Sequence, residues 1–135
     1  MMANYQIVAV YGTLREGLND HTLLSTGRRI GMGWLTGFSM HDLGGSPAIV
    51  PAHENTERIR VEWYKIPDTT LEELDRLEGY DPNNAETSVF LRKRVFSPYG
   101  KGWIYVYNQP LKHAPYMEAG DWVRFSQLST LIPAH

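Results

Sequence analysis

Two groups of residues in this 135-residue chain are of types that do chemistry. The first is Gly12-Thr13-Leu14-Arg15-Glu16-Gly17, which follows directly on the apolar run Ile7-Val8-Ala9-Val10-Tyr11. A strand that runs into a turn with two glycines, a hydroxyl and a guanidinium ends either in a plain connector or in a cradle whose backbone N–H groups hold something. The second is Glu78. Leu71, Leu74 and Leu77 recur at helical spacing, and at ~100° per residue Glu78 falls between Leu71 and Leu74 on the helical wheel. A carboxylate on an apolar face is costly unless it is paired or protonated. Desolvation lifts its pKa toward neutrality, where a proton shuttle works best. The competing reading has Glu78 fraying outward at the helix end.

The elements that must position these groups are short. Turn signals recur along the chain, among them Gly37, Gly44-Gly45, Asp81-Pro82 and Pro98-Tyr99-Gly100. Between them lie β-rich stretches at residues 5–11, 29–40, 47–50, 57–66, 88–96 and 101–108, the clearest being Trp103-Ile104-Tyr105-Val106-Tyr107. Helices are expected over residues 19–25, with Asn19 as cap, and over 70–78. Thr70-x-x-Glu73, overlapped by Thr69-x-x-Glu72, has capping-box spacing, and Gly79 can end the second helix. Residues 120–135 read as a strand followed by a loose end. The pattern predicts one α+β domain over residues 1–135, with 123–135 a loosely packed tail. Its core is a small, mostly antiparallel β-barrel or curled mixed sheet with a few short helices.

The bulk properties exclude several classes. The chain is 42% hydrophobic and 21% charged, with net charge −2 and pI about 6.2. No basic field invites nucleic acid, and no apolar run reaches the ~18–20 residues that span a bilayer. There is no cysteine, hence no disulfide framework and no thiolate chemistry. The N-terminus lacks the features of a secretory signal. The expectation is a cytoplasmic protein without nucleic-acid or membrane partners; nothing in the pattern speaks to oligomeric state. The five histidines (21, 41, 53, 113 and 135) have no ligand spacing, so no metal site is expected. The glycine loop lacks the spacing of the common phosphate-loop motifs.

The ordered set of motifs resembles the γ-glutamylcyclotransferase-like superfamily, which includes AIG2-like and YtfP-like proteins. The opening Tyr11-Gly12-Thr13-Leu14-Arg15 with Gly17 and Asn19 resembles one family mark. Leu74, Asp75, Glu78, Gly79 and Tyr80 resemble another. Ser46–Val50, Arg60–Ile66, Trp103–Asn108 and Gly120-Asp121-Trp122 match in order, so the resemblance covers about residues 7–122. Departures are Val61, where a Gly usually precedes the strand glutamate, Phe90, where Tyr is common, and the polar loop 81–88.

The resemblance implies that a γ-glutamyl group on a small amine or peptide is cyclised to 5-oxoproline, releasing the amine, with Glu78 as general acid/base. It implies that the loop Tyr11, Gly12, Thr13 and Leu14 floors the substrate cavity through its backbone N–H groups, with Gly12 allowing close approach of the ligand. Tyr105 is expected to line the cavity, or to pack in the core on the same strand face as Tyr107. The partner is then a small γ-glutamyl compound, and no cofactor is required. The alternative is a non-catalytic binding or sensing protein that uses the same cavity. Arg15 is expected either to bind a carboxylate or to pair with Glu16 or Asp20 on the surface, and Glu62 to be structural.

Overall fold

The computed structural model describes residues 4–54 and 56–131. Seven strands are β1 (Tyr5–Val10), β2 (Arg28–Thr36), β3 (Phe38–Asp42), β4 (Pro47–Pro51), β5 (Arg58–Pro67), β6 (Phe90–Ser97) and β7 (Gly100–Tyr107). Two α-helices are α1 (Asp68–Glu78) and α2 (Trp122–Leu131), and short 3₁₀ segments cover His21–Leu24 and Pro82–Thr87. One sheet runs β2-β5-β1-β7-β6, and β3 and β4 form a separate ribbon. Every neighbouring pair is antiparallel except β1 and β7, which meet in parallel at Val8 and Trp103.

The mixed, mostly antiparallel expectation is met, but the barrel is not closed: no ladder joins β6 to β2 among the described residues. The sheet curls instead. The hydroxyl of Tyr99, at the turn between β6 and β7, packs so tightly on Gly31 of β2 that a Cβ there would overlap it. The stretch expected as one strand at 29–40 breaks in two at Gly37, whose φ of 89° suits a residue without a Cβ.

Alternation along the central strands sorts the core into two layers. Val8, Val10, Tyr64, Ile66 and Tyr105 face Leu71 and Leu74 of α1 and Leu24 of the first 3₁₀ segment. Ala9, Tyr11, Val61, Trp63, Ile104 and Val106 face Met40 and Ile49 of the ribbon and Trp122 of α2. Burying each large apolar side chain is worth about 1.5–3 kcal/mol, so α1 is held chiefly through Leu71 and Leu74. Leu77, expected on the same stripe, is 45% exposed.

The capping boxes do not form. The helix starts two residues earlier than expected, at Asp68 behind Pro67, with no side-chain cap, and the Thr70 hydroxyl bonds to that of Thr26 (2.6 Å). Gly79 does end it, at φ 67°. Asn19 caps nothing either: the N-cap position of the 3₁₀ segment is Asp20, whose carboxylate bonds to Thr13 instead. Residues 122–131 form a helix and not the expected strand, because Asp121 Oδ1 accepts from the Arg124 N–H (3.2 Å) and Trp122 is buried. Residues 132–135, the end of the expected tail, lie outside the described residues. No helix of the described residues is long and apolar enough to cross a membrane.

Candidate active site

Since β1 and β7 are parallel, the loops that leave their carboxyl ends emerge at the same edge of the sheet. Ligand sites in open sheets with parallel strands form at such edges. Here β1 continues into residues 11–20, and the register pairs its last residue, Val10, with Glu62 of β5. Glu62 therefore lies where the chain leaves the sheet, and it anchors the loop. Its carboxylate accepts from Arg15 Nε (2.9 Å), the Glu16 N–H (3.0 Å) and the Tyr64 hydroxyl (2.8 Å). Arg15 also donates to Asp121 (2.8 Å). Burial by itself would raise the Glu62 pKa, but these three donors outweigh it and hold the carboxyl below its ordinary value. Of the two expectations for Arg15, the surface pair with Glu16 or Asp20 is not formed: the side chain is 4% exposed and ties the loop to both β5 and the start of α2.

The anchored loop walls a cavity of about 220 Å³, together with Ser46 and Pro47 of the ribbon, Leu77 and Glu78 of α1, and Phe90 and Tyr105 of the sheet. The carbonyls of Gly12, Thr13 and Leu14 are occupied, by the N–H groups of Arg15 (3.0 Å) and Asp20 (3.0 Å) and by His21 Nδ1 (3.0 Å) respectively. The N–H groups of the same three residues have no partner among the described residues. These three residues line the cavity, and no described residue claims their backbone N–H groups. Gly12 lines the cavity and also lies against the ribbon. A Cβ at this position would stand 2.8 Å from Pro47 Cγ, so the absent side chain makes room for the ribbon wall.

Glu78 lies in this cavity at the last position of α1. Its carboxyl has no hydrogen-bond or ion-pair partner among the described residues, and burial, reinforced by the charge of Asp20, lifts its pKa from 4.5 to about 7. Asp20 is a cavity residue that the sequence reading passed over as a site residue. Thr13 Oγ1 donates to its Oδ2 at 2.6 Å, which holds it facing Glu78. The only signal for it was an acidic residue just beyond the glycine turn. The ring of Tyr11 packs in the core layer away from α1, and its hydroxyl donates to the Tyr105 carbonyl (2.6 Å). Burial and the Glu78 charge push that phenol well above its usual pKa.

Tyr105 lines the cavity with its hydroxyl already committed to Asp75 Oδ1 at 2.6 Å. Asp75 also accepts from Arg92 Nη1 (3.0 Å), and the guanidinium lies over the rings of Trp103 (4.5 Å) and Tyr80 (5.5 Å). This chain locks the carboxyl-terminal half of α1 onto β6 and β7, which fixes where Glu78 points. Phe90, where the motif commonly has Tyr, adds an apolar wall and packs edge-on against Tyr107 at 5.2 Å. Among the described residues no His, Asp and Glu cluster could hold a metal ion.

The cavity thus holds an unpaired, desolvated carboxyl and is lined by loop residues whose backbone N–H groups no described residue claims. The chain belongs to the gamma-glutamyl cyclotransferase, AIG2-like family, which matches residues 8–124. A Vibrio cholerae protein provisionally named a gamma-glutamylcyclotransferase is 31% identical over 117 residues, covering 86% of this chain and 94% of that protein. A Niallia circulans relative named gamma-L-glutamyl-butirosin B gamma-glutamyl cyclotransferase is 29% identical over 123 residues, covering 86% and 74%. The solution structure of the Escherichia coli YtfP protein superposes with a TM-score of 0.70 at 28% identity, covering 90% of this chain and 99% of that one.

Proposed function

We propose that the chain is a γ-glutamyl cyclotransferase with Glu78 as its general acid/base. The observation that carries this reading is the unpaired Glu78 carboxyl, with a pKa near 7, in a cavity lined by loop residues whose N–H groups have no partner among the described residues. The substrate brings its own nucleophile. Its α-amine attacks the γ-carbonyl carbon, a five-membered lactam closes, and the bond to the leaving nitrogen breaks. Tethering removes most of the entropic barrier, so the protein's task is to fold the glutamyl chain and move protons.

The α-ammonium carries three protons, and the lactam nitrogen keeps one. The other two pass to the leaving nitrogen, which departs as an ammonium. Glu78 relays them one at a time and begins and ends each turnover as a carboxylate. A pKa near the working pH keeps both forms accessible. The N–H groups of Gly12, Thr13 and Leu14 suit the α-carboxylate, the charge developing on the carbonyl oxygen, or both. Asp20 faces the place where the α-ammonium must sit to lose a proton to Glu78, and its charge holds that cation.

The test is 5-oxoproline release from γ-glutamyl dipeptides and γ-glutamyl amines, wild type beside Glu78→Gln. Gln keeps the shape and removes the relay. Wild-type turnover that falls by about 10²–10⁴-fold in the variant supports the reading. Binding of γ-glutamyl compounds without turnover by the wild type would favour a sensor that uses the same cavity.

A further inference from the structure

A second cavity abuts the first. It is an open groove of about 880 Å³ whose lining includes Leu43 and Gly44 of the β3–β4 turn, Tyr107 at the end of β7, and Gln109 and Lys112 of the following loop. No residue lines both, but residues of the two linings touch at two places. On one side Ser46 lines the first cavity and Leu43 the second, and the Leu43 N–H donates to the Ser46 carbonyl (2.9 Å) to close the turn between them. On the other side Phe90 lines the first and Tyr107 the second, directly paired across β6 and β7 with ring centroids 5.2 Å apart. A substituent leaving the first cavity over the Phe90–Tyr107 pair enters the groove within one ring's width.

The charges in the groove are unequal in freedom. Asp42 is engaged at Oδ1 by the Gly44 N–H (2.7 Å), with the Gly45 N–H also within range (3.4 Å). The Lys112 side chain has no partner among the described residues. Lys112 is also the non-glycine residue with positive φ among the described residues, at 55°, a backbone conformation unfavourable for a lysine and found clustered at ligand sites. Two extended residues span about 7 Å, more than the 5.2 Å between the centroids of the ring pair.

We propose that the groove receives the leaving group, and that Lys112 makes the site selective for γ-glutamyl compounds whose leaving amine ends in a carboxylate, of peptide length. The inference rests on the cyclotransferase reading. Its test compares γ-glutamyl-alanyl-glycine with the same peptide as its C-terminal amide, in wild type, Lys112→Gln and Lys112→Glu. The readout is the ratio of kcat/KM for acid over amide, which cancels any change in folding or chemistry common to both. The wild-type ratio is expected to be about fivefold at low salt, the size of an exposed ion pair. It should fall toward one in about 0.5 M salt and in Lys112→Gln, and below one in Lys112→Glu. Turnover of both peptides with a ratio of one in all three proteins would overturn the groove assignment and leave the cyclotransferase reading standing. No 5-oxoproline from either peptide or from a γ-glutamyl anilide would overturn both.

Discussion

Replacing Glu78 by Gln should cut turnover by about 10²–10⁴-fold and stabilise the fold at alkaline pH. Burial, with the Asp20 charge, holds the Glu78 carboxyl near pH 7 in the folded chain, against 4.5 for a solvated glutamate. Between those values the folded chain binds more protons than the unfolded one, so stability falls as pH rises. The contribution is fully present below about pH 4.5 and is lost as pH passes through about 7. Two and a half pH units at about 1.4 kcal/mol each come to about 3 kcal/mol. Gln fills the same space and never ionises. The variant should therefore match wild type near pH 4 and exceed it by about 3 kcal/mol near pH 8. Urea unfolding followed by tryptophan fluorescence measures this, since Trp63 and Trp122 are both buried. A stability difference that stays flat between those pH values would mean that Glu78 is solvated in the native state. The physical basis for its role as acid/base would then be gone.

Three further outcomes follow from the same geometry. Asp20→Asn should move the rise of kcat/KM with pH to lower pH, because the Asp20 charge is one of the two causes that lift Glu78. Burial, the larger cause, remains, so Glu78 should still titrate above an ordinary glutamate, which the pH–rate profile reads directly. Arg15→Met should cost about 3–5 kcal/mol in urea unfolding, because it leaves the buried Glu62 without its cation; Arg15→Met with Glu62→Gln should recover much of that loss. Gly12→Ala should cost about 1–3 kcal/mol through its clash with Pro47, and Pro47→Ala in the same chain should relieve it. An equal cost in single and double variants, by the same unfolding assay, would show that backbone conformation, not the ribbon wall, requires the glycine.

Much of the site's chemistry was legible in the chain itself. The periodicity of Leu71 and Leu74 put Glu78 toward the apolar face, and its half-buried, unpaired carboxyl lines the cavity there. The apolar run ending at Tyr11 predicted a strand feeding a glycine turn, and β1 feeds that turn. Such features are local: side-chain period and turn chemistry act over a few residues, so a linear pattern encodes them. The family likeness carried further and selected the loop from Tyr11 to Leu14.

Tertiary structure decided the rest, because the deciding partners are distant in the chain. Arg15 looks like a surface cation until β1–β5 register brings Glu62 beneath it, 47 positions away. That Gly12 must also clear Pro47 shows only once the ribbon packs on the loop. The Thr69 and Thr70 capping boxes have the right spacing, yet Pro67 starts the helix earlier and Thr26 claims the Thr70 hydroxyl. Asp20 and Phe90 become cavity walls only when the sheet curls and α1 lies across it. Local propensity is worth tenths of a kcal/mol per residue, whereas leaving a buried charge unpaired or a packed site empty costs several, so where the two disagree the long-range partner wins.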